Sequence, residues 1–186
     1  MIHVIYDGTY IDSLVQSVGW SGDVAKPARR LDVDLTNTID GRKRVIDFEH
    51  GREIRFISND VELFRGPIFD FEIDARGQMR VTAHDENTYL VRNQDTRAFR
   101  NKTASAIVKE LCGAFGIPTG TIADTGYVIP KLILRNKSLW DMMITALTVT
   151  RKQTGRRFFI TSREGKLHLL ERKEQTVRFV IESGVN

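Results

Sequence analysis

Through the first half of the chain, apolar residues recur at every second position in short runs separated by turn residues. The clearest run is Arg30 to Thr36, where Leu31, Val33 and Leu35 face one way and Asp32 and Asp34 the other. A period of two puts these on opposite faces of a strand with one buried side and one wet side. Ile2 to Tyr6 is a second β-rich run, and the Asp7-Gly8 that follows is a pair preferred by a tight type I′ turn. Leu14 to Trp20, Glu53 to Ser58, Val61 to Arg65, Ile68 to Asp74 and Met79 to Ala83 continue the pattern. Ser21-Gly22, Asn59-Asp60 and Ala75-Arg76-Gly77-Gln78 supply turns, and the polar stretch Asn37 to Arg44, with Asp40-Gly41, reads as a loop. Gly66-Pro67 is expected to break or bend its ladder, because proline has no N–H to donate. Six or seven short strands at this spacing predict a small barrel or sandwich.

The period then changes. Thr103 is placed to cap a helix running to about Phe115, with Ile107, Leu111, Cys112 and Phe115 at helical spacing, Gly116 as a stop and Pro118 beyond it. Thr119 to Ile129 reads as loop and Lys131 to Leu134 as a short strand. Ser138 caps a second helix, with Asp141 three residues on and Leu139, Met142, Met143, Ala146 and Leu147 as its apolar stripe. The helix ends near Thr154-Gly155. Arg157 to Ser162 and Lys166 to Glu171 form a β-hairpin across Glu164-Gly165, and Val177 to Ile181 is one more strand. The predicted fold is α+β, mainly β. A small antiparallel β-barrel domain over 1–95 precedes a smaller α/β domain over 96–186 with two helices and a β-hairpin. Because Ser183 to Asn186 reads as the middle of something longer, this second domain is expected to be truncated at its C-terminal end.

Composition narrows the function classes. With 41% hydrophobic and 28% charged residues over 186 positions, general disorder is excluded. The start of the chain carries no basic region followed by an apolar run, and no stretch approaches the roughly 18 consecutive apolar residues of a membrane span. The expected location is therefore the cytoplasm, and no membrane partner is expected. The single cysteine, Cys112, permits no internal disulfide and reads as a small core residue. The net charge of +4 is unevenly spread. Residues 1–93 hold 12 Lys/Arg against 16 Asp/Glu, net −4, and residues 94–186 hold 16 against 8, net +8. Such a chain can bind copies of itself head to tail or offer its basic half to a polyanion.

Candidate chemistry is sparse. His3, His50, His84 and His168 show no helical i, i+4 metal pair. His84-Asp85-Glu86 is the most acid–base-like cluster, but adjacent residues at a strand end point apart, whereas acid–base work needs convergence on one atom. Asp85 reads instead as the cap of a helical turn through Tyr89 and Leu90. Gly-rich phosphate loops and a nucleophile elbow are missing from the sequence. No catalytic, cofactor-binding or metal-binding residue is assigned, and no cofactor is implied. The basic runs Arg42-Lys43-Arg44, Arg151-Lys152 and Arg156-Arg157 are candidate interface residues. A single-stranded nucleic-acid-binding barrel would need exposed aromatic residues for stacking. Phe56, Phe69 and Phe71 instead fall at core-like alternating positions, and the barrel half is acidic, so nucleic acid is not the expected partner.

Several short motifs occur together in order along nearly the whole chain. They are Val18-Gly19-Trp20-Ser21-Gly22 with Ala28-Arg29-Arg30-Leu31, Leu63-Phe64-Arg65-Gly66-Pro67-Ile68, and Ala83-His84-Asp85 before Tyr89-Leu90. Lys102-Thr103-Ala104-Ser105 then leads to Phe115-Gly116-Ile117-Pro118, and Ser138-Leu139-Trp140-Asp141 precedes Thr154-Gly155 and Gly165-Lys166-Leu167. In this the chain resembles the hub family of PBSX-type defective prophages and related contractile tails. It is more distantly similar to late control protein D and to the base proteins of type VI secretion spikes. The resemblance implies a non-enzymatic baseplate hub joining tail tube to spike. It further implies self-association, as a trimer in the full-length protein, with tube and spike or baseplate proteins as partners. Assembly is expected in the bacterial cytoplasm, with the product in the tail of a phage or phage-like particle. The alternatives are a tail-associated cell-wall hydrolase or peptidase and the nucleic-acid-binding barrel.

Overall fold

The computed structural model describes residues 2–22, 28–38 and 43–172. The expected strand Val177 to Ile181, the Asp40-Gly41 turn and Arg42 lie outside the described residues. Strands β1 (Ile2–Tyr6), β2 (Thr9–Tyr10), β3 (Val15–Ser21), β4 (Arg30–Thr36), β5 (Glu53–Ser58), β6 (Val61–Ile73) and β7 (Gln78–His84) form one antiparallel sheet. Its order is β2-β1-β5-β6-β7-β4-β3, and it curls into a half-barrel with β2 and β3 as edges. Both Asp7 and Gly8 have positive φ, 44° and 82°, as a type I′ turn requires. The alternation read from Arg30 to Thr36 holds throughout: Leu31, Val33 and Leu35 are fully buried, and Asp32 and Asp34 are half-buried. They join Val4, Ile11, Ile54, Phe56, Phe64, Ile68, Val81 and Ala83 in the first core. Asn37, also buried, ties down the following loop: its amide donates to the Ile46 carbonyl (2.7 Å), and its oxygen accepts from the Val45 and Ile46 N–H groups.

At Gly66-Pro67 the structure differs from the expected break. A single strand of 13 residues, β6, runs straight through the dipeptide. Its first part pairs with β5, Pro67 standing opposite Glu53 at the end of that strand, and from Ile68 onward it pairs with β7. Proline is tolerated here because the ladder changes partner at this point, so its missing N–H interrupts neither pairing. Gly66 is required by a close crossing. A Cβ on it would lie 2.2 Å from the His84 carbonyl oxygen, where β7 ends.

The rest of the chain builds a second core. Its elements are α1 (Asn87–Arg92), β8 (Gln94–Thr103), α2 (Ala104–Ala114), β9 (Thr119–Ile122), β10 (Val128–Ser138), α3 (Leu139–Thr154), β11 (Phe158–Arg163) and β12 (Lys166–Glu171). Both expected caps are present. Thr103 Oγ1 accepts the Ala106 N–H and Ser138 Oγ accepts the Asp141 N–H, at 3.2 and 3.0 Å. Gly155 closes α3 in the left-handed region. Ile107, Val108, Leu111 and Cys112 of α2 meet Leu139, Met142, Met143 and Ala146 of α3, with Leu90, Phe99, Leu167 and Leu169 around them. Burial pushes the Cys112 thiol up to about 11, which suits its role as a core residue.

Two further differences lie in the strands of this half. β8 was not expected, and β10 spans Val128–Ser138 rather than Lys131 to Leu134. The two strands make an antiparallel ribbon. Thr119 to Ile122, expected as loop, is β9, which pairs parallel to β12 beside the β11–β12 hairpin.

Candidate interaction surfaces and the cleft between the cores

The chain passes from the first core to the second through His84-Asp85-Glu86. Asp85 donates its N–H to the Arg29 carbonyl, while its Oδ1 accepts the Asn87 N–H at 3.2 Å and its carbonyl accepts the Thr88 N–H. It therefore turns the chain into α1, whose N-cap is Glu86, one residue after the cap read from the sequence. Asp85 is only 3% exposed. Burial pushes its carboxyl up to about 7, the neighbouring Glu86 adds to the rise, and Arg29 and the Asn87 N–H oppose it. Glu86 is also raised, first by burial, and its Oε2 is enclosed without a hydrogen-bond partner among the described residues.

These groups line one side of a half-open cleft of about 490 Å³ between the half-barrel and the β11–β12 turn, with Trp20 and Val61 exposed at its rim. Glu62 lies on the half-barrel side. Burial alone would raise it, but hydrogen bonds from Arg65 and Arg55 outweigh that and hold it below the usual carboxylate range. Ser162 Oγ donates to Asn87 Oδ1 (3.1 Å) and Arg29 reaches Thr161 Oγ1 (3.4 Å), joining the two cores across the seam. The carboxyl of Asp85, held near 7 by burial, could exchange a proton near neutral pH. Asp85, however, is committed to the start of α1, and Glu62 is clamped by two guanidinium groups. The arrangement is that of a joint between packed units.

The histidines are engaged separately. His3 bonds Asp12 (2.7 Å), His50 stacks on Phe71, His84 meets the edge of Phe69, and His168 Nδ1 accepts the Thr121 N–H. Among the described residues no three His, Cys, Asp or Glu side chains are grouped to hold a metal ion.

The six candidate interface cations among the described residues are spread over separate elements. Lys43 and Arg44 are exposed in the loop after β4, Arg151 and Lys152 in the last turn of α3, and Arg157 just before β11. Arg156 is occupied inside the fold: it makes two hydrogen bonds to Glu171 (2.7 and 2.8 Å) and lies over the Phe158 ring. The sequence reading missed a different cationic group, Arg100, Lys131 and Arg135 on the outer face of the β8–β10 ribbon. The i, i+2, i+4 spacing of Lys131, Ile133 and Arg135 was the available signal. It carried little weight because the partner strand β8 is almost entirely polar.

The YQBQ-like family model matches residues 18–186. The chain belongs to the YQBQ-like family. It is 32% identical over its whole length to the phage-like element PBSX protein XkdQ of Bacillus subtilis and covers 57% of that relative, a little over half. Among solved structures, the prophage MuSo2 43 kDa tail protein from Shewanella oneidensis superposes with a TM-score of 0.69 at 17% identity, over 90% of this chain and 53% of the other. A component of the Escherichia coli type VI secretion system, described as similar to the T4 tail proteins gp27 and gp5, gives 0.54 at 12% identity, over 83% of this chain and 48% of the other. The YQBQ-like chain thus shares its mainly β fold with phage tail proteins, as the motif resemblance implied.

Proposed function

We propose that this YQBQ-like chain belongs to the baseplate hub of a contractile, phage-like tail, where it joins tail tube to spike as a non-enzymatic, self-associating component. Family membership across residues 18–186 carries this reading, and the half-barrel fold supports it. Two packed units joined through His84-Asp85-Glu86, the second holding Leu90 of α1 in its core, offer distinct faces to distinct neighbours. Assembly takes place in the bacterial cytoplasm, the finished product being the particle tail, and the full-length protein forms a trimer. Lys43, Arg44, Arg151, Lys152 and Arg157 are exposed and are the candidate partner contacts.

Deleting the gene from a strain that carries it is expected to leave tail tubes without baseplates, seen by electron microscopy and restored by the gene in trans. Complete tails from the deletion strain would overturn the hub assignment. Zymography separates scaffold from hydrolase. The purified chain is expected to clear no cell-wall substrate, whereas clearing that disappears in Asp85→Asn or Glu86→Gln would make the cleft an active site.

A further inference from the structure

The β8–β10 ribbon uses only one of its faces within the fold. Phe99, Leu132 and Leu134 lie on the side packed into the second core. The opposite face presents Arg100, Lys131 and Arg135 around Ala98 and Ile133, and Ile133 is 48% exposed. Arg100 stands directly across from Lys131. Like charges opposite one another on a ribbon destabilise it, and among the described residues no carboxylate is ion-paired with any of the three. The fold therefore maintains an uncompensated cationic face with an apolar centre.

The complementary surface lies on the same molecule. On the outer side of the half-barrel, Asp70 and Glu72 of β6 stand across β7 from Asp32 and Asp34 of β4, through the shared partners Thr82 and Arg80. Arg30 neutralises Asp32 and Arg80 neutralises Asp34, each at 2.7 Å. Asp70 and Glu72 are exposed and among the described residues form no ion pair, so this face is net negative. We propose that the cationic ribbon face of one copy docks on the acidic outer face of β6, β7 and β4 in a second copy. The contact is heterologous, since it uses two different patches, and therefore builds a ring or a chain of copies rather than a two-fold dimer. Charge fixes the register, while Ile133 and Ala98 supply apolar burial at the centre. This inference rests on the self-associating role proposed above and names the surfaces that carry it.

Sedimentation velocity of the full chain over a concentration series tests it. Wild type is expected to self-associate at low salt and to weaken as salt rises. Arg100→Glu with Lys131→Glu, and separately Asp70→Lys with Glu72→Lys, should each weaken association by about tenfold or more. Mixing the two reversed proteins should restore it, because each now offers the charge the other requires. All four positions are exposed, and unchanged circular dichroism confirms folding. Association indifferent to both reversals overturns the surface assignment but leaves the hub reading in place. A wild type that stays monomeric throughout overturns the inference, while the deletion phenotype still judges the hub reading. Monomeric wild type that retains duplex DNA through Arg100 and Lys131 overturns it in favour of a polyanion site.

Discussion

Gly66→Ala is expected to destabilise the fold by about 2–3 kcal/mol, the upper part of the range for overpacking a close contact. The added Cβ would lie 2.2 Å from the His84 carbonyl oxygen, 2.8 Å from the His84 carbonyl carbon and 3.1 Å from the Asp85 Cα. All three are backbone atoms, so no side-chain rotation relieves the clash and the crossing of β6 over the end of β7 must open. That crossing is where β6 exchanges β5 for β7 and where the chain leaves for the second core. The loss should therefore reach both units. Since about 1 kcal/mol corresponds to roughly 2–4 °C in a chain of this size, the melting temperature is expected to fall by about 5–10 °C. Gly8→Ala is a useful comparison: its Cβ meets nothing within 4 Å, and only its positive φ of 82° opposes the change. An unshifted melting curve for Gly66→Ala would mean that the strands do not approach this closely.

The parts of the fold legible in the sequence are those where a local rule and a long-range contact agree. Leu31, Val33 and Leu35 alternate because one side of β4 faces the core, and Thr103 and Ser138 cap helices through hydrogen bonds made within three residues. The elements that escaped are those whose order comes from elsewhere. Along β8 only Phe99 is buried, so its ten residues carry no period and are held by pairing with β10, some thirty residues later in the chain. β9 is a strand because β12, almost fifty residues further on, lies beside it in parallel. Gly66-Pro67 carried a correct local signal, the missing donor, with a structural consequence that depended on which strand lay alongside. The candidate site behaves likewise. Basic runs adjacent in sequence stand out to the eye, yet Arg156 is occupied by Glu171, while Arg100 and Lys131 become neighbours only through the ribbon register. The acidity of the first half and basicity of the second were visible from the start. Which faces they occupy depends on strand register.

The pH dependence of stability should be governed in large part by Asp85. In the unfolded chain its carboxyl ionises near 3.8, whereas in the fold burial keeps it protonated up to about 7. Between these values the folded state holds a proton that the unfolded state has released. Stability therefore declines as pH rises through this interval, and the loss is complete above about pH 7. At roughly 1.4 kcal/mol for each unit of displacement, the full loss is about 4 kcal/mol. Asp85→Asn removes the titration, and its amide oxygen can still accept the Asn87 N–H. The variant is expected to match wild type near pH 4 and to melt about 10–15 °C higher at pH 8. Glu86, raised in the same direction by burial, will leave a shallower slope in the variant, and Glu86→Gln in the same background should flatten it further. If Asp85→Asn changes the melting temperature equally at both pH values, the carboxyl is ionised within the fold and Arg29 outweighs its burial. The seam between the two cores would then be held by a charge pair rather than strained by a buried acid.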